Sequence, residues 1–283
     1  MSKRYLLWRI IGNDIPPRHT STQSVDNLRF ILEHEEAFED CDKAFLFNRV
    51  VNEVKLDEMR GMVLDAGYKY ISIPFRPSEF RACKNDPQRR HYLTNVNLAR
   101  NEALMRRFAY ECCLPLDGGC YFHPAGWANL DVQVRINPGR AFFVVPMSRV
   151  KTHDEVLAEK PPRCIRETYT LGEAQVCGAT EPQIAFCEGS DIMFDDTREY
   201  GQCDKAEVLW RLGVPGPWDH WNPRDRREAL KRPSEHFGQV LQAGWVFRLP
   251  SGNAEADFDN VARGESRKVG VRRLTDAARA CSP

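Results

Sequence analysis

No apolar run in the chain approaches the roughly 20 residues that a membrane-spanning helix needs. The start, MSKRYLLWRIIGNDIPP, holds an apolar core of only about seven residues, too short for a secretion signal. The expectation is a cytoplasmic protein without a membrane span. Net charge is lacking as well. Forty basic residues meet 40 acidic ones, so no whole-molecule field gathers nucleic acid or an anionic membrane, and neither is an expected partner. CxxC pairs are absent, and the 10 cysteines are scattered. That pattern favours neither a zinc ribbon nor a disulfide framework, and reduced thiols are expected. Internal repeats and low-complexity segments are also missing, which removes solenoids and linker-rich architectures.

What is present is an ordinary globular composition, 42% hydrophobic over 283 residues, enough to bury one large core or two small ones. YLLWRIIG at 5–12 reads as a buried strand, bounded by the turn-like NDIPPRH. In 24–38, Val25, Leu28, Ile31 and Leu32 recur at helical spacing with Ser24 as the expected cap. A strand at 43–50, a helix at 54–67 closed by Gly67, and a strand at 68–75 follow. This β-α-β-α-β order within the first 75 residues predicts an α/β fold, a Rossmann-type, mostly parallel sheet flanked by helices. Residues 76–93 read as a long polar surface loop, 95–111 as a helix, 112–119 and 141–150 as strands, and 150–180 as irregular. The stretch 183–195 fits two short strands or a hairpin, and 204–213 a helix ended by Gly213. From 214 onward the pattern alternates turns, one basic helix and one short strand.

Ligands of an open parallel sheet sit beyond the carboxyl ends of its strands. Three polar clusters fall at such ends: Gly12-Asn13-Asp14, FNRV at 47–50, and LDGG at 116–119. The helix before the last of them carries Asn97, Arg100 and Asn101. Asparagine and arginine can bond base, ribose or phosphate, while a carboxylate such as Asp117 can hold a divalent cation that bridges phosphates. Asp-Gly is equally a strong turn dipeptide, so Asp117 can also be read as the first residue of a turn.

Here the chain resembles the glycosyltransferases of the nucleotide-diphospho-sugar (GT-A) fold, especially their large inverting family. That family carries an ARN.AL helix followed by an apolar strand ending in Asp-x-Asp; this chain has LARNEAL at 98–104 and then CCLPLDGGCYF. A later family helix begins Glu-Asp-x-x-Leu-x-x-Arg-Leu, its acidic start supplying the base. CDKAEVLWRLG at 203–213 aligns with it, placing Asp204 on the glutamate and Lys205 on the aspartate. Two departures stand out, Gly119 in place of the second acid of Asp-x-Asp, and Lys205 in place of an acid.

The resemblance implies a GT-A-like catalytic domain over 1–213 and a C-terminal extension, 214–283, that covers the donor. It implies transfer of a sugar, with inversion, from a nucleotide diphosphate, a uridine one being expected, to a hydroxyl on a glycan, peptide or small molecule. Asp204, or failing it Glu188 or Asp191, would take the acceptor proton. Arg9, Gly12, Asn13, Asp14, Asn97, Arg100, Asn101 and Lys205 would bind the donor. Asp117 would hold Mn2+ or Mg2+, completed by His220 and Asp219 from PGPWDHW at 215–221. The alternatives are a sugar nucleotidyltransferase, and a non-catalytic nucleotide- or carbohydrate-binding module in which Gly119 marks lost metal chemistry.

Overall fold

Strand β1, Tyr5–Ile11, is buried at every position, as a run that is apolar but for Arg9, without polar alternation, requires when both sheet faces are covered. The computed structural model describes residues 3–157, 181–201, 205–214 and 233–281. Helix α1 (Gln23–His34) buries Val25, Leu28 and Ile31, and strand β2 (Cys41–Asn48) follows. Asn52 caps helix α2 (Glu53–Asp65) by accepting the Lys55 N–H, and Gly67, at φ 78°, turns the chain into strand β3 (Lys69–Ile73).

Ser24 is not the cap of α1. Thr22 occupies that position, while the Ser24 N–H and hydroxyl both donate to Asp14. The expected surface loop at 76–93 is instead two helices, α3 (Pro77–Ala82) and α4 (Asp86–Thr94). Each has a proline in its first turn, where a missing N–H costs nothing. Their few apolar residues, Phe80, Tyr92 and Leu93, anchor a small core with Val51 and Ala278, which outweighs the polar composition. Helix α5 (Val96–Leu104) is shorter than expected, because the chain leaves it to bring Glu111 and Cys112 onto the Arg4 carbonyl.

Strand β4 (Cys112–Asp117), strand β5 (Cys120–Phe122) and helix α6 (Pro124–Ile136) come next. The single strand expected at 141–150 breaks at Pro146, which has no N–H to give a ladder. Its halves, β6 (Phe142–Val145) and β7 (Met147–Arg149), join different sheets. The stretch 183–195 holds one strand, β8 (Gln183–Cys187), rather than a pair. Helix α7 (Ala206–Arg211), strands β9 (Leu241–Gln242) and β10 (Val246–Arg248), and helices α8 (Ala254–Phe258) and α9 (Asn260–Ala280) complete the described chain.

The main sheet has seven strands in the order β3-β2-β1-β4-β8-β6-β9, and a second sheet has the order β5-β10-β7. β1 pairs in parallel with β2 on one side and β4 on the other. β8 runs antiparallel to β4 and β6. The α/β architecture expected from the sequence, a mostly parallel sheet flanked by helices, is therefore present. On one face Trp8 and Leu46 pack with Ala99 and Ala103 of α5 and with Val208 and Leu209 of α7. On the other, Leu7, Leu114 and Leu116 meet Trp127 and Leu130 of α6; each such aliphatic side chain, fully buried, contributes about 1.5–3 kcal/mol.

Cys112 of β4 and Cys187 of β8 are a register pair and form a disulfide, so the expectation of reduced thiols does not hold at these two positions. No spacing signal reveals it, since the partners are 75 residues apart and meet only through sheet pairing. Among the described residues no helix is long and apolar enough to cross a membrane.

Helix α9 lies directly on the segment after β1. A Cβ added at Gly270 would stand 2.2 Å from the Ile15 carbonyl oxygen, whereas one at Gly264 meets nothing within 4 Å. Gly270→Ala should therefore cost about 1–3 kcal/mol by forcing helix and loop apart. Gly264→Ala, on the same helix, should stabilise by up to about 1 kcal/mol. Urea melts of the two variants check the pair, and equal effects would contradict the packing.

Candidate functional site

Strand order reverses between β1 and β4: β2 and β3 lie to one side and the later strands to the other. Such a switch point leaves a crevice at the carboxyl ends of the two central strands. A cavity of about 290 Å³ occupies that place, lined by residues 10–15 at and beyond the end of β1 and by Asp117, Gly118 and Gly119 at and beyond the end of β4.

Asp117 sits opposite Ile10 of β1, and the turn reading and the site reading both hold for it. The Gly118 N–H donates to the Ile10 carbonyl at 2.9 Å. A Cβ at 118 would come within 2.7 Å of that oxygen, so the turn needs glycine. The Asp117 carboxylate faces the cavity and is surrounded by cations. Arg100 of α5 donates to one oxygen at 2.6 Å, and Lys205, just before α7, donates to the other at 3.1 Å. Arg248 of β10 stands 3.7 Å away, and the Gln183 amide donates at 3.3 Å. Burial alone would raise the Asp117 pKa, but Lys205, Arg100 and Arg248 outweigh it and hold the carboxyl well below the usual carboxylate range.

Four further arginines line the cavity without pairing with Asp117, and we term them its far wall: Arg18 from the loop after β1, Arg149 at the end of β7, and Arg263 and Arg267 on α9. Arg18 and Arg149 reach the same carboxylate oxygen, one of Asp257, at 3.1 and 3.4 Å. His19 lies among them. Burial first, then the charges of Arg18, Arg248, Arg267 and Arg149, push its pKa well below 6.5. Its ring is neutral at pH 7, and its buried Nδ1 has no hydrogen-bond partner.

Of the residues singled out in the sequence, Gly12, Asn13, Asp14, Arg100, Asp117 and Lys205 line this one cavity. Asn13 and Asp14 also have structural partners. Asn13 bonds the main chain of Arg49 and Val51, and Asp14 takes Lys55 at 2.8 Å. Arg9 is a correction. It points to the other sheet face, fully buried, in an ion pair with Glu35. Asn97 and Asn101 are also turned away from the cavity, donating to the carbonyls of Asp195 and Phe194 and so fastening that segment along α5. Glu188 and Asp191 follow β8 at the end where Cys187 pairs with Cys112, the opposite edge of the sheet from Asp117. There Asp191 accepts from Ser234 and Glu235. The antiparallel direction of β8 puts them there. Asp204, Asp219 and His220 lie outside the described residues.

The far-wall arginines were missed because they come from separate segments, the loop after β1, β7 and α9, that only the fold unites. One signal existed: Arg263 and Arg267 are four apart, on one helical face.

The divalent cation that the resemblance implies finds no fitting donor set among the described residues. No group of three His, Cys, Asp or Glu side chains there could hold one. Both Asp117 oxygens already face cations. Around Gly119, where the second acid would stand, the nearest side-chain atoms belong to Asn27 Nδ2, Arg248 and Gln23 Nε2. These nitrogens donate hydrogen bonds, which suits an anion and not a cation.

No protein-family model matches the chain, and no curated protein matches it. Two solved structures are similar in outline. One is a mannosyltransferase, PcManGT, from Pyrobaculum calidifontis, in complex with GDP-Man and Mn2+, at 12% identity and a TM-score of 0.40, covering 98% of this chain and 73% of that one. The other is a mannose-1-phosphate geranyltransferase from Thermus thermophilus, at 12% identity and a TM-score of 0.30, covering 92% and 79%. Likeness at this level says nothing of ligand or reaction.

Two outcomes test the geometry. Asp117→Asn leaves Arg100 and Lys205, each with a side chain only 3% exposed, without their carboxylate, and should cost about 3 kcal/mol in denaturant melts. Added pyrophosphate should recover part of the loss. For His19, the folded state refuses a proton that the unfolded chain accepts at about 6.5. Its contribution is full above that pH and is lost as pH falls from there through the depressed folded value. Stability should thus drop below pH 6.5 in the wild type and less steeply in His19→Gln, and parallel profiles would contradict the assignment.

Proposed function

We propose that the chain is a glycosyltransferase that takes a nucleotide-diphospho-sugar and holds its diphosphate with fixed cations. One observation carries the reading: the Arg100–Asp117–Lys205 cluster, with Arg248 beside it, at the switch point of a mostly parallel sheet. Guanidinium and ammonium groups are the natural partners of phosphate oxygens. Asp117 acts by keeping two of them aimed, since two free cations at this distance would repel each other apart.

The cavity wall near Gly12, Asn48 and Thr94 is uncharged and takes the nucleoside. The cationic centre takes the diphosphate, so that charge developing on the leaving group meets donors already in place. The extension from 214 onward covers the donor, α9 contributing the far wall. The motif resemblance favours a uridine diphosphate donor and an inverting outcome. The acceptor hydroxyl attacks the anomeric carbon as the diphosphate leaves, and its proton passes to a base. Asp204, directly before Lys205, keeps the role the resemblance gives it. His19 is a second proton acceptor, neutral and already in the cavity.

Turnover of UDP-, GDP-, ADP- and dTDP-linked sugars, followed by nucleotide release, tests the reading. One donor class should turn over. Lys205→Met should lower kcat by about tenfold or more, the loss expected for one charged hydrogen bond to the transition state. Comparing Asp204→Asn with His19→Gln assigns the base. Pyrophosphate release from a nucleoside triphosphate and a sugar phosphate, with no nucleotide-sugar turned over, would overturn the glycosyltransferase reading in favour of nucleotidyl transfer.

A further inference from the structure

Among the described residues the cavity lining carries more positive charge than one donor can neutralise. Three cationic side chains, Arg100, Lys205 and Arg248, surround Asp117, and four more, Arg18, Arg149, Arg263 and Arg267, form the far wall. Against these seven stand, among the described residues, three lining carboxylates, Asp14, Asp117 and Glu181, while His19 is neutral at pH 7. The excess is four. Just outside, Lys55 pairs with Asp14 and Asp257 pairs with Arg18 and Arg149, and these two cancel. A nucleotide-diphospho-sugar brings two negative charges and Asp204, in the role of base, one more, which leaves about one unmet in a partly buried site, where unmet charge is expensive.

The geometry of the far wall locates the remainder. Arg18 and Arg149 share Oδ1 of Asp257, whose other oxygen takes the Ser251 N–H. The Arg263 guanidinium bonds the carbonyls of Ala256 and Asp257. Arg267 bonds the Gly201 carbonyl through one nitrogen, while its buried Nε has no partner, and the adjacent His19 Nδ1 is equally unpartnered. So four guanidiniums and two nitrogens without a hydrogen-bond partner, Arg267 Nε and His19 Nδ1, gather around Asp257, with Glu181 acting on Arg263 and Asp14 4.0 Å from the His19 ring. Arg149 shows the strain of that crowding: burial, then Arg248 and Arg263, lower its pKa to about 9. Guanidinium forks match the oxygens of phosphate and carboxylate.

We propose that this wall is a second anion subsite, separate from the diphosphate cluster, that binds a phosphate or carboxylate group on the acceptor. The acceptor is then an anionic molecule, not a neutral sugar. The inference deepens the transferase reading in naming its acceptor class, but the subsite itself stands without it. Arg149 and Arg248 are direct register partners in the second sheet, so donor and acceptor anions would be held side by side on one rigid element.

Calorimetric titration of inorganic phosphate into the full chain tests it. Binding should weaken about tenfold in Arg267→Gln and stay unchanged in Lys268→Gln, an exposed control on the same helix. It should persist when the protein is saturated with the nucleotide that the donor screen selects. Phosphate affinity equal in wild type and Arg267→Gln, with both proteins melting alike, would overturn the subsite. A UDP- or GDP-linked uronic acid that displaces the phosphate, where the neutral sugar donor does not, would move the subsite to the donor sugar and overturn the acceptor assignment. Failure of the transferase reading looks different: no nucleotide binds, while phosphate binding still depends on Arg267.

Discussion

Excess positive charge, gathered in a partly buried cavity and held in place by the Asp117 carboxylate, is the constraint on which the site depends. A lone guanidinium in that position would be costly to bury, and an ammonium beside it would add repulsion. One acid between Arg100 and Lys205 makes both tolerable and fixes their direction. The acid is in turn fixed by the sheet, because Asp117 ends β4 against Ile10 of β1 and Gly118 is bonded to the same strand. The same residue therefore terminates a strand, begins a turn and organises a cluster of cations.

The rest of the molecule supplies the second half of that charge. β10 sits between β5 and β7 in the small sheet and brings Arg248 toward Asp117, while α9 crosses the loop after β1 and brings Arg263 and Arg267 to the far wall. Late segments thus complete a site whose floor is built by the strand ends of β1 and β4. A whole-chain charge of zero conceals this, since it also sums exposed acids such as Glu53 and Asp276.

How much was legible beforehand follows from what each signal depends on. The β-α-β-α-β order and the strand-end position of Asp117 were readable because they rest on local periodicity and on turn chemistry. Arg100 was found through its helix, and Lys205 through its departure from an expected acid. Arg9 misled because a buried arginine on an apolar strand looks the same in sequence whether it faces a ligand or an internal partner such as Glu35. Glu188 and Asp191 misled because β8 runs antiparallel, a direction that no residue in QIAFC specifies. The helices at 77–94 were hidden by a polar composition whose few apolar anchors matter only once packed. The Cys112–Cys187 pair and the far-wall arginines depend on contacts between segments far apart in the chain, and only the folded topology brings them together.

The central claim is that fixed cations, rather than a bound metal, receive the diphosphate. Calorimetry of the nucleoside diphosphate chosen by the donor screen, in excess EDTA and again in Mn2+, tests it most directly. Binding should be of equal strength in both, weakened by Lys205→Met and not abolished by Asp117→Asn. Binding that requires Mn2+ and vanishes in Asp117→Asn would contradict it.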